Sequence, residues 1–117
     1  EKPSSGKSHS VTMHKPVHCR LVREETDLQV YTLSGTPADC IKFGIHSLLK
    51  RKPDLVISGI NHGTNSSVSV VYSGTMAAAI EGCLNRVSSV GFSLTDYQQT
   101  ADFSAAEKYA EIVIEKV

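Results

Sequence analysis

The succession of helix, strand, helix, strand and helix from residue 36 onward predicts an α/β fold. In it a layered sheet joins parallel strands through helical crossovers. Three observations carry the prediction. A helical period of apolar residues opens at Thr36 and Pro37, and a nearly unbroken β-prone run follows at Leu55, Val56, Ile57 and Ile60. A second helical stretch from Met76 then leads into another short strand and a closing amphipathic helix. The 117 residues leave room for one core, since a domain takes roughly 100–200 residues.

Each element has its own local reason. Ser4, Ser5, Gly6, Ser8 and Ser10 beside Pro3 make the opening a loop, because such residues bond locally to backbone or permit unusual dihedrals. Over 17–22, Val17, Cys19 and Leu21 alternate with His18 and Arg20 as in a half-exposed strand. Glu24, Glu25, Thr26 and Asp27 form a charged turn, and Val30, Tyr31 and Thr32 carry a second strand over 28–33, which makes a hairpin. Thr36 suits an N-cap, Pro37 the first helical position and Asp39 the return bond of a capping box. Ile41, Ile45, Leu48 and Leu49 give that helix one apolar face, Lys50, Arg51 and Lys52 gather at its negative end, and Pro53 stops it. The run over 55–60 predicts a strand covered on both faces. A polar loop over 61–74 feeds a helix built on Met76, Ala77, Ala78, Ala79, Ile80 and Leu84. Val90 and Phe92 mark a short strand over 89–94, and Phe103, Ala106, Ala110, Val113, Ile114 and Val117 line one face of the last helix. The chain opens in a loop and stops inside a helix, so it reads as a piece of something longer whose sheet exposes apolar surface.

Charge and composition narrow the function. Twelve basic side chains balance twelve acidic ones, leaving no surplus to displace counterions from long nucleic acid. No apolar run approaches the roughly 20 residues of a membrane span, and the polar N-terminus is no signal peptide. Cys19, Cys40 and Cys83 are odd in number and far apart, with neither a disulfide framework nor a metal clip, so a reducing cytoplasm is the expected location.

In layered α/β folds ligands bind beyond the carboxyl ends of the strands, which directs attention to residues 58–75. There Ser58, Gly59, Asn61, His62, Gly63 and Asn65 close the strand. Asn61 and Asn65 offer neutral carbonyl oxygens to a hard cation such as magnesium, calcium or manganese and amide donors to a phosphate. The plainer alternative is that Asn and Gly only tolerate the turn leaving the strand. Tyr72, Ser73, Gly74 and Thr75 open a helix whose free amides can receive a phosphate, or whose serine is simply a cap. The Ser4–Ser10 stretch could meet an anion or metal, or be a frayed terminus; it lacks the glycine spacing and preceding strand of a P-loop.

Other chemistries find no support. His14, His18 and His46 lack metal-ligand spacing, and no Gly-x-Ser-x-Gly elbow exists. Asp39 reads as a helix cap and Glu81 as a structural charge among alanines rather than a general base, while Cys40 and Cys83 read as small core residues.

Three long strings occur in order: Gly35-Thr36-Pro37-Ala38-Asp39-Cys40, Ser58-Gly59-Ile60-Asn61-His62-Gly63-x-Asn65, and Tyr72-Ser73-Gly74-Thr75-Met76-Ala77-Ala78-Ala79-Ile80-Glu81-Gly82. Together they resemble the SurE family of survival-protein nucleotidases, and the opening Ser5-Gly6-Lys7-Ser8-His9-Ser10 is similar to that family's serine-rich loop. The resemblance covers essentially the whole chain. It implies a Rossmann-like layered sheet with helices on both faces. Residues 1–117 would be the central part of a single domain, lacking an N-terminal strand that ends in an aspartate pair and lacking the C-terminal segments. It implies a phosphatase that releases phosphate from nucleoside monophosphates with a divalent cation, magnesium or manganese. Ser5 and Asn61 would be metal ligands and Asn65, Ser73, Gly74 and Thr75 phosphate ligands. The family's metal is also held by two adjacent aspartates, and no Asp-Asp pair occurs here; the catalytic residues are therefore unassigned and the chain alone is expected to be inactive. Ser4 stands where the family pattern commonly has arginine. Homodimers or tetramers are implied through the C-terminal segments.

The leading expectation is thus a cytoplasmic, metal-dependent 5'/3'-nucleotidase in the full-length parent. A non-catalytic nucleotide- or phosphate-binding α/β module is the alternative, and a purely structural or interaction module the third.

Overall fold

The computed structural model describes residues 8–117. The predicted hairpin is present: β1 (Cys19–Glu25) runs antiparallel to β2 (Leu28–Leu33) as a two-stranded sheet of its own. Glu24 and Glu25, expected in the turn, instead pair with Gln29 and Leu28, which reduces the turn to Thr26 and Asp27. Two-residue connections match the twist of paired strands, so the tighter turn wins. The Gln29 amide donates to Glu24 Oε1 at 2.7 Å across the pair.

Helix α1 (Pro37–Phe43) starts as expected. Thr36 Oγ1 accepts the Asp39 N–H at 3.2 Å and Asp39 Oδ2 accepts the Thr36 N–H at 2.8 Å, a complete capping box. It does not run on to Pro53. From Gly44 to Leu48 the chain widens into a π-helical turn, and Leu49 is extended. Glycine and the β-branched Ile45 are both weak helix formers, so the ladder is easiest to loosen there. Arg51 turns from the helix end to Asp54, with Nη2 and Oδ2 2.9 Å apart.

Strands β3 (Leu55–His62) and β4 (Ser88–Leu94) pair in parallel. Between them lie the single-turn helix α2 (Ser69–Tyr72), absent from the sequence reading, and α3 (Gly74–Leu84), which begins directly after Ser73, within the expected helix start. Helix α3 packs on both strands and on α1. The core there consists of small residues: Ala38, Val56, Ala77, Ala78, Ala79 and Val87. Gly82 completes the close approach, since a Cβ on it would stand 3.1 Å from Val56 Cβ.

On the other face lies α4 (Ser104–Ile114), with Ala110 buried and Phe103, Ala106 and Ile114 half-buried. Val113 and Val117, assigned to the inward face by spacing, are exposed, and the helix ends at Ile114. The expectation that β3 is covered on both faces fails as well. Ile57 is 46% exposed, because α4 seats over β4 and leaves a cavity of about 520 Å³ against Ile57, Ile60 and Phe92. Cys40 and Cys83 are exposed rather than in the core; the packing arcs of their helices are taken by Ala38 and Asp39 and by Ala78, Ala79 and Gly82. Among the described residues no helix is long and apolar enough to cross a membrane.

Candidate functional site

The carboxyl end of β3 is shaped by a bulge. Ser58 pairs with Gly91 but Asn61 pairs with Ser93, so β3 carries one extra residue across this step. Gly59, at φ +106°, occupies it, a backbone conformation that costs a side-chain-bearing residue energy. Asn61 and His62, read from the sequence as loop, therefore still belong to the strand. Gly63, at φ +94°, then turns the chain, and its N–H donates to the Leu94 carbonyl at 2.8 Å. Tyr97 fills the space a Cβ would take on Gly63, and its hydroxyl accepts the Thr64 N–H at 3.2 Å. Asn65 Nδ2 donates to the Ser93 hydroxyl. The asparagine loop is thus held by the end of β4.

Across from it, α3 begins. Ser73 is its N-cap, with Oγ accepting the Met76 N–H at 3.1 Å. The amides of Gly74 and Thr75, as first helical residues, have no intrahelical acceptor. Asn61, Asn65, Ser73, Gly74 and Thr75 line one cleft of about 400 Å³. The structure brings these five together; Ser5 lies outside the described residues. Asn61 Nδ2 donates to the His62 carbonyl at 2.7 Å, which orients the amide and leaves its Oδ1 as the oxygen available to a cation. A hard divalent cation takes six or more oxygens, including anionic ones. Among the described residues no group of three or more His, Cys, Asp or Glu could hold it, so the cleft residues described offer a cation neutral oxygens such as Asn61 Oδ1.

The two buried carboxylates stand outside the cleft. Asp39 accepts from Thr12 N–H at 3.0 Å, Thr12 Oγ1 at 2.6 Å and Thr36 N–H at 2.8 Å. Burial pushes its pKa up, but these bonds outweigh burial and hold it below the usual 3.8. Glu81, 3% exposed, accepts from Lys42 Nζ at 2.9 Å and meets His9 Nε2 at 3.2 Å and Asn85 Nδ2 at 3.1 Å. Here too burial raises the pKa, and the bonds from Lys42 and His9 bring it below the usual 4.5. Both are satisfied structural charges, matching their reading from sequence.

Sequence reasoning missed Ser93 and Tyr97. Ser93 had a signal, since it ends a strand of the same sheet, where the crevice rule applies equally. Nothing local marks Tyr97, which reaches the site through the turn after β4.

The family model of survival protein SurE matches residues 1–117. A protein named 5'-nucleotidase SurE from Phocaeicola vulgatus is 51% identical over 115 residues, covering 98% of this chain and 45% of its own length. One of the same name from Chlorobium luteolum is 47% identical over 116 residues, covering 99% of this chain and 44% of its own. The crystal structure of the SurE protein from Aquifex aeolicus superposes with a TM-score of 0.78 at 38% identity, over 95% of this chain and 44% of that one. The chain thus spans a little under half the length of the relatives it matches. With the family model matched end to end and the fold shared, the chain belongs to the SurE survival-protein family.

Proposed function

We propose that the protein carrying this chain is a cytoplasmic, divalent-metal-dependent 5'-nucleotidase that hydrolyses nucleoside monophosphates, and that this chain supplies its phosphate cleft. The observation that carries the reading is the convergence of Asn61, Asn65 and Ser73–Thr75 on one cleft at the carboxyl end of a parallel strand pair. It is joined to half-identity with proteins named for that activity.

The roles follow from the free valences. Ser73 Oγ already accepts from Met76 N–H, yet a hydroxyl keeps its own proton to donate, so the cap and a phosphoryl oxygen can share it. Gly74 and Thr75 present unpaired amides at the positive end of α3. Asn65 Nδ2 gives one hydrogen to Ser93 and retains the second for the substrate. These donors are fixed before substrate arrives, and they stabilise the charge that grows on the phosphoryl oxygens in the transition state. Asn61 Oδ1 would hold the magnesium or manganese ion, with Ser5 as a second neutral ligand. When bound, the ion polarises a phosphoryl oxygen and orients the attacking group. The anionic ligands and the catalytic carboxylates come from outside this chain, so the chain alone turns over no substrate. Assembly into homodimers or tetramers through segments beyond it belongs to the same reading.

The test is hydrolysis of nucleoside monophosphates by the full-length protein with magnesium or manganese, beside Asn61→Ala. Loss of a metal ligand is expected to lower kcat/KM at least ~100-fold. Equal turnover by the variant removes Asn61 from the metal site, and no turnover by the parent removes the nucleotidase.

A further inference from the structure

Five bonds made from within residues 8–12 have no part in the reading above. Ser8 Oγ donates to the Val71 carbonyl at 2.9 Å, and His9 Nε2 meets Glu81 Oε2 at 3.2 Å. The Ser10 carbonyl accepts from Thr36 Oγ1 at 2.7 Å, and Thr12 donates twice to Asp39, from N–H at 3.0 Å and Oγ1 at 2.6 Å. Residues 8–12 thus form a strap laid across α2, α3 and α1 in turn. Three of its four anchors, Thr36, Asp39 and Glu81, are buried.

What the strap holds is the cleft wall. Helix α2 is a single turn kept by long bonds, 3.2 Å from Val71 N–H to Val68 O and 3.4 Å from Ser73 N–H to Val70 O. Val68, Val71 and Tyr72 are exposed, so little burial stabilises it. The Val71 carbonyl sits in its last turn and has no helical partner there; Ser8 supplies one. The next residues, Tyr72 to Thr75, line the cleft. Glu81 lies two turns along α3 from Ser73 and does not line the cleft, so it touches no bound substrate, and its bond to His9 ties it to the strap.

We propose that Glu81 is a positioning residue for the phosphate cleft: by gripping His9 it holds the 8–12 strap in place, which in turn caps α2 and sets where Tyr72 and Ser73 stand. Lys42 shares the carboxylate and keeps it ionised at its buried position. The proposal rests on the cleft being where substrate binds.

The test uses the full-length protein with His9→Ala, which leaves the Lys42–Glu81 pair intact and so preserves the fold, and with Glu81→Ala and the double variant. Hydrogen exchange at Thr12 and at the α2 amides is expected to accelerate at least tenfold in each single variant while exchange in β3 and β4 stays unchanged. Unchanged exchange at both places in His9→Ala overturns the strap. In kinetics with a nucleoside monophosphate, KM is expected to rise at least fivefold. A residue that only supports folding would instead lower the folded fraction and apparent kcat at unchanged KM, and that result overturns the positioning role. The two single effects are expected not to add in the double variant, because one contact is broken twice; full additivity also counts against the proposal. If the parent fails to hydrolyse or bind any nucleoside monophosphate, the nucleotidase reading falls while the exchange result still judges the strap.

Discussion

Replacing Gly59 with alanine tests the bulge that presents Asn61. The residue sits at φ +106°, and a Cβ there would run into the Phe92 carbonyl oxygen and stand 3.2 Å from Asn61 N. Holding an alanine in that backbone region costs about 1–3 kcal/mol, and the collision with strand backbone, which cannot swing aside as a flexible side chain would, adds about 1–3 kcal/mol. The sum, roughly 2–6 kcal/mol, is a large part of the ~5–15 kcal/mol stability of an ordinary domain. A loss of ~3 kcal/mol with a urea slope of about 2 kcal/mol/M moves the midpoint down by roughly 1.5 M. Far-UV circular dichroism is the suitable probe, since the chain has no tryptophan. Gly44→Ala is the control: its φ is −56° and nothing lies within 4 Å of the added Cβ, so it should gain about 0.4–1 kcal/mol. If both variants unfold at the wild-type midpoint, glycine is not required at the bulge and the account of how Asn61 is aimed would be wrong.

Two further outcomes follow from the caps and buried acids. Ser73→Ala removes the α3 N-cap and should lower stability by about 1 kcal/mol while also weakening inorganic phosphate binding, measurable by calorimetry; stability unchanged to within a few tenths would show that the Ser73–Met76 bond contributes nothing. The carboxyl of Asp39 lies below its usual 3.8 in the folded protein, so its contribution is complete above that pH and is lost as pH falls through the folded value. Acid unfolding curves of wild type and Asp39→Asn should therefore separate at neutral pH and converge only as pH falls well below 3.8; a gap that persists in strong acid would assign the effect to shape rather than charge.

Much of the fold was legible because its signals are local. The capping box at Thr36 and Asp39 needs only four adjacent residues, and the hairpin needs alternation and a turn. The helix beginning at the Ser73 cap and the strands on either side follow from period and propensity alone. Legibility failed where neighbours far along the chain decide. The π-helical turn at Gly44, the insertion of α2 and the exposure of Ile57, Cys40 and Cys83 depend on which surfaces the partner elements cover.

The site divides the same way. The asparagine-glycine run and the Ser-Gly-Thr helix start are visible as strings, and the family follows from their order, because residue type and spacing determine which donors and acceptors are available. Only the tertiary structure decides that they share a cleft. The parallel pairing of β3 with β4 sets Asn61 beside Ser93, α3 returns its N-terminus to the same end of the sheet, and the 8–12 strap reaches Glu81 across a sequence separation of 72. Proximity of that kind is a property of packing, and packing is a sum over contacts that no local stretch of sequence contains.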